Sequence, residues 1–236
     1  MVSPWRNILT KIEVELQDTM GSDRAIAEAA WTSSKDNENR LDRPEKDVAR
    51  VVNMLADYKH SVPFESVIFR FWIRMPIAID RQLMTHRIAS HSGMSGRYRT
   101  MPSDFYDVPQ DVFDILVNVP DGSKRIEEYK SLCVATNVWY QEAITKLRTD
   151  RDNGMIDGVE FKRVREFFRG VLPQHNMTER VTIMNLRSWA NFYKLRSKLD
   201  AQPEIQEVAN QMRAEVIKSG VCPIALEALE RNDWSI

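Results

Sequence analysis

The chain has 236 residues, enough for one large domain or two small ones with a sizeable core. Its 33 Lys and Arg balance 34 Asp and Glu to a formal net charge of −1, so nothing global draws it to nucleic acid or a membrane. Cys133 and Cys222 stand far apart without metal-ligand spacing, and no apolar run is long enough to cross a bilayer. A cytoplasmic protein with no structural disulfide, no metal site and no nucleic-acid or membrane partner is expected.

In chain order, Ile8, Thr10, Ile12, Val14 and Leu16 alternate with their neighbours and suggest a strand. Ser22 or Asp23 can cap a short helix from Arg24 to Trp31. Thr32 to Arg43 is polar and charged and reads as a loop or lid. Pro44 suits a helix first turn, with Asp42 as cap, and Val48, Val51, Val52 and Leu55 follow at helical spacing. Ser66 to Met75 is the clearest strand, with Val, Ile, Phe and Trp on both faces. Pro76 is expected to end it and open a helix carrying Gln82 and His86 on one face, with Thr85 beside them.

Tyr98 to Asp121 reads as irregular, with one helical turn near Val112 to Leu116. A long helix is expected from about Ser123 to Arg148, its apolar stripe running through Ile126, Tyr129, Leu132, Cys133, Trp139, Ala143, Ile144 and Leu147. Asp157 can cap a helix with Phe161, Val164, Phe167 and Phe168 on its core face, and Pro173 stops it. Asn176 to Ile183 suits a strand, Met184 to Lys198 a helix, and Pro203 starts another through about Lys218. With no repeat and no obvious linker, the expected fold is a single α+β domain, 1–236, with an antiparallel-type sheet flanked by helices.

Two donor-rich stretches carry the candidate chemistry. The first holds Gln82, His86, Arg87, Ser95, Gly96 and Arg97; the second holds Arg169, Asn185, Arg187, Asn191 and Arg196. Small residues between Ser90 and Arg97 let amides and hydroxyls approach a phosphate, and Arg97 adds a forked charge. Arg187 and Arg196, about two and a half turns apart, are expected on one helix face. The two stretches read as walls of one anionic-ligand site. Spacing alone favours plainer readings, a serine-glycine surface loop and a solvated charged stripe. Glu65 is either a salt-bridge partner or a ligand contact.

The order of these residues resembles the flavin-dependent thymidylate synthases. That family's signature is Arg-His-Arg, two residues, Ser, one residue, Asn-Glu, one residue, Ser, one residue, Arg-Tyr. It stands here as Thr85-His86-Arg87, Ser90, Ser92-Gly93, Ser95 and Arg97-Tyr98. His60 to Glu65 is similar to the family's His-x-Ser/Thr-Pro-Phe-Glu turn, and Arg169 to Pro173 to its Arg-x-Val-Leu-Pro. Asn185-Leu186-Arg187, Asn191 and Leu195-Arg196 match its last block, so the resemblance covers roughly residues 24 to 215.

The resemblance implies a homotetramer with shared active sites, in which FAD, NADPH and 5,10-methylenetetrahydrofolate serve C5 methylation of a pyrimidine deoxynucleotide monophosphate, dUMP above all. It assigns FAD to His86, Arg87, Glu65, Asn185, Arg187 and Asn191. It assigns the nucleotide to Gln82, Ser95, Gly96, Arg97 and Arg169, and polarisation of the pyrimidine to Arg196. Thr85 stands where the signature has an arginine, Ser92 and Gly93 where it has Asn and Glu, and Val62 where the turn has Ser or Thr. These departures keep two alternatives open: a relative that acts on dCMP or transfers hydroxymethyl, and a non-catalytic nucleotide- or flavin-binding protein.

Overall fold

The computed structural model describes residues 9–33 and 42–234. The chain forms two compact units. The first comprises residues 1–12, 74–80 and 93–179, and the second 13–73, 81–92 and 180–236. Six strands and nine α-helices are described: β1 Leu9–Thr10, β2 Glu13–Met20, α1 Asp23–Trp31, α2 Glu45–Asp57, β3 Ile68–Pro76, α3 Ile77–Leu83, β4 Ser90–Gly93, β5 Phe105–Tyr106, α4 Gln110–Val117, α5 Gly122–Asp152, α6 Gly158–Phe168, β6 Met177–Asn185, α7 Leu186–Arg196, α8 Pro203–Ser219 and α9 Pro223–Arg231. The fold is mixed α+β, with a four-stranded antiparallel sheet in the order β2-β3-β6-β4 and a short parallel pair, β1-β5.

The second unit is built on the start of β3 and the end of β6. Phe69, Phe71 and Ile73 are fully buried while Arg70 is exposed, so β3 has one core face rather than the two apolar faces its composition suggests. Burying each such side chain contributes about 1.5–3 kcal/mol. Trp189 of α7 packs edge-on against Phe69 at 5.5 Å and stacks on Tyr193. Around this core α1 packs on α2, α2 on α9, α8 on β2 and α7 on α8.

Ser22, as expected, caps α1 by accepting from the Ala25 amide. Asp23, the other candidate cap, serves a different helix. Its carboxylate accepts from the Ile224 and Ala225 amides at 3.0 and 2.8 Å, capping α9, which the sequence pattern did not reveal. Helix α2 begins at Glu45 after Pro44 and has no side-chain cap, so Asp42 does not fill that role. Residues 34–41 of the expected loop lie outside the described residues, as does Ile8.

In the first unit, α5 packs on α4 and α6. Its buried positions are Gly122, Ile126, Cys133, Asn137, Tyr140, Ile144 and Leu147, spaced by threes and fours or by their sum. Leu132 and Trp139 of the expected stripe are exposed instead, because the helix keeps this narrower seam over its whole length. The expected single turn before it is the two-turn helix α4. Asp157 caps α6 in a reciprocal capping box with Glu160. Phe161 is buried on α6, whereas Phe167, placed in the core by spacing, is 71% exposed. Among the described residues no helix is long and apolar enough to cross a membrane.

Candidate functional site

The second unit contains a cavity of about 900 Å³, and the sheet explains which residues reach it. The Leu186 amide at the end of β6 donates to the Val67 carbonyl at the start of β3. That pairing sets Glu65, just before β3, beside Arg187, just after β6, and their side chains form an ion pair at 2.7 Å. Both are about half exposed, so the pair is worth no more than about 1 kcal/mol. The open reading of Glu65 thus resolves to a salt bridge that also lines the cavity.

Helix α3 ends at Leu83, earlier than expected, and Thr85 and His86 lie in the turn beyond it. Gln82 and His86 therefore do not share a helix face. Gln82 donates to Gln202 at 2.6 Å, and His86 turns toward α7, edge-on to Phe192. Arg196 donates from Nε to His86 Nε2 at 2.9 Å and from a terminal nitrogen to Thr85 Oγ1 at 3.2 Å. Thr85 in turn donates to the Gln82 carbonyl at 2.7 Å, which leaves its oxygen lone pairs for Arg196.

His86 accepts from Arg196 only as a neutral imidazole. Burial first, then the Arg196 charge and His91, lower its pKa from 6.5 to about 4. The unfolded chain binds a proton near pH 6.5 and the folded chain only near 4, so the folded protein loses stability as pH falls through that window. An NMR titration of the His86 ring is expected to show its midpoint near 4, shifted upward in Arg196→Ala. A wild-type midpoint near 6.5 would contradict the neutral acceptor.

Nine residues turn an α-helix by two and a half turns, which sets Arg187 and Arg196 on opposite sides rather than on the one face expected. Both nevertheless line the cavity, along with Ser188, Asn191 and Leu195, because Arg196 at the last turn of α7 reaches to His86. Asn185 is not part of the lining. Its Oδ1 accepts from the Ser188 amide as the cap of α7, a helix that begins at Leu186 and not at Met184. Lys59, Lys194, Ile88, Met184 and Trp234 complete the wall, and spacing gave no sign of Lys59, Lys194 or Trp234.

The lining carries five permanent cations, Lys59, Arg87, Arg187, Lys194 and Arg196, against one carboxylate, Glu65. Lys194 pairs with Asp233, but among the described residues Lys59 and Arg87 have no ion pair and Arg196 meets only neutral groups. Such an uncompensated wall favours an anion, and Ile88, Met184, Leu195 and Trp234 give it apolar surface for a ring system.

The first unit holds Ser95, Gly96, Arg97 and Arg169, so the two donor stretches of the sequence are redistributed in space. Ser95 closes a turn, its hydroxyl accepting from the Arg97 amide. A Cβ built on Gly96 would stand 3.0 Å from Arg169 Cδ and 3.1 Å from Met101 Sδ, so glycine lets the arginine lie against the loop. Arg97 donates from Nε to Glu166 at 2.6 Å, which lowers the Glu166 pKa and raises that of Arg97. Arg165, stacked on Phe161, donates to the Arg97 carbonyl and fixes the loop. Glu166 and Arg165 escaped the sequence reading, although each lies within one turn of Arg169.

The chain belongs to the family described as Thymidylate synthase complementing protein, whose model matches residues 15–224. Curated relatives are flavin-dependent thymidylate synthases. That of Thermus thermophilus is 32% identical over 95% of this chain and 78% of its own length, and that of Thermotoga neapolitana 35% identical over 94% and 92%. The crystal structure of a UMP/dUMP methylase, PolB from Streptomyces cacaoi bound with 5-Br dUMP, superposes with a TM-score of 0.73 at 26% identity, covering 97% of this chain and 99% of that one. The protein is an enzyme of this family.

Proposed function

We propose that the protein is a cytoplasmic, homotetrameric enzyme that methylates C5 of dUMP to give dTMP, using FAD, NADPH and 5,10-methylenetetrahydrofolate. The observation that carries this reading is the cavity in which uncompensated cations, Arg196 among them, surround a neutral His86. A wall of that composition fits a flavin dinucleotide: Arg87 and Arg187 suit its phosphates, Asn191 offers an amide, and the apolar residues suit its ring. When bound, the flavin supplies the reducing electrons of the reaction. Arg196 stabilises negative charge developing on the pyrimidine, His86 holds Arg196 in place without adding a second positive charge, and the cavity wall orients the reactants. No protein thiolate is required: Cys133 and Cys222 are buried, and burial raises both thiol pKa values, that of Cys222 to about 12.

In the first unit, Arg97, Arg169 and the Ser95 turn suit the nucleotide phosphate. Arg97→Ala is expected to weaken dUMP binding about 10–100-fold, the loss of one charge-assisted bond of roughly 1.5–3 kcal/mol. Isothermal titration checks this, and unchanged affinity would remove Arg97 from the nucleotide site.

The deciding experiment is mass spectrometry of a reaction containing FAD, NADPH, methylenetetrahydrofolate and equimolar dUMP, UMP and dCMP. A methyl gain on dUMP supports the proposal. Gain on another nucleotide, or a hydroxymethyl product, replaces the substrate or the transferred group. Strand β4, where Ser92 and Gly93 stand in place of Asn and Glu, is the segment that such an outcome would implicate.

A further inference from the structure

Lys59 occupies a position that local backbone chemistry reserves for glycine. It follows the end of α2 with φ +58°, in the left-handed region. The His60 amide donates to the Leu55 carbonyl at 2.8 Å and the Lys59 amide to that of Ala56 at 3.1 Å, the paired closure that usually ends a helix on glycine. A lysine there strains the backbone and gains nothing inside the fold: its side chain is exposed and, among the described residues, has no ion pair or hydrogen bond. That side chain lines the cavity that also holds Thr85, Arg87 and Arg196. Strain kept at a site wall, with an uncompensated charge pointed at it, calls for a ligand.

Where the family signature has an arginine, this chain has Thr85, whose hydroxyl accepts from Arg196. A second guanidinium in that place would face Arg196 with like charge, and Thr85 relieves that repulsion at the cost of one cation in the cavity. We propose that Lys59 restores this cation and binds a phosphate oxygen of the flavin dinucleotide, making it an anion-binding residue outside the signature motif. The inference rests on the flavin reading for the identity of the anion, and on the cavity alone for the anion site.

The test is Lys59→Gly, with Lys59→Arg as control, measured without turnover. Removing the left-handed strain is expected to leave the thermal midpoint unchanged or raise it by about 2–4 °C. Over the same change, affinity for FAD and for inorganic pyrophosphate is expected to fall about tenfold, while affinity for riboflavin, which has no phosphate, stays constant. Lys59→Arg should retain FAD and pyrophosphate affinity. A merely structural lysine would move the midpoint without separating FAD from riboflavin. Equal pyrophosphate affinity in wild type and Lys59→Gly overturns the anion site whether or not FAD binds. Pyrophosphate binding that depends on Lys59, in a protein that takes up no FAD, overturns the flavin reading instead.

Discussion

Arg196→Ala is expected to lower turnover on dUMP by about 10²–10³-fold while leaving the fold intact. The magnitude is that of removing one preorganised donor from developing negative charge, roughly 2.7–4 kcal/mol. Arg196 is suited to that work because both groups that hold it, His86 Nε2 and Thr85 Oγ1, are neutral and leave its charge unspent. Neither contact belongs to the hydrophobic core, and both acceptors can turn to water once the guanidinium is gone, so the thermal midpoint should shift by less than about 2 °C. Arg196→Lys should not restore activity, because a lysine offers one point of charge and cannot engage His86, Thr85 and a substrate oxygen in a single plane. Steady-state kinetics beside circular dichroism decide the matter. Turnover near the wild-type value would take Arg196 out of the chemistry and the cavity out of its proposed role.

The largest loss of stability is expected from a residue outside the cavity lining. Asp23→Ala removes the carboxylate that accepts from both the Ile224 and Ala225 amides, and α9 has no other side-chain cap. Asp23 is 7% exposed, so the two amides are left without partners in a setting that water enters poorly. A buried unpaired donor costs about 1–3 kcal/mol, and the change as a whole should cost roughly 2–4 kcal/mol. Asp23→Asn keeps one acceptor oxygen and should recover about half of that. Urea denaturation of the two variants measures it; a cost below about 0.5 kcal/mol for Asp23→Ala would show that α9 does not depend on this cap. Burial outweighs the amide bonds and raises the Asp23 pKa, so its charged form is already held at some expense.

What the sequence determined was local. Apolar period and capping residues were enough for α1, α2, β3, α5, α6, β6 and α8, because the residues that choose a helix or a strand lie within a few positions of one another. The family signature was likewise legible, since its motifs are short and ordered, and it named His86, Arg87, Arg187, Asn191 and Arg196 before any geometry.

What only the tertiary structure decided was which of these residues meet. His86 and Arg196 are 110 positions apart, and Glu65 and Arg187 are 122 apart. The Glu65–Arg187 contact follows from the pairing of β3 with β6, and the His86–Arg196 contact from helices that start or stop where packing rather than period requires. The same long-range chemistry gave Asp23 to α9 and turned Leu132, Trp139 and Phe167 outward, whereas Asn185 was spent locally, on the cap of its own helix. It also brought Lys59, whose glycine-like conformation is set locally at the end of α2, to the cavity wall. A sequence period records which side of an element is apolar; what that side faces is fixed by the contacts formed when distant segments close on one another.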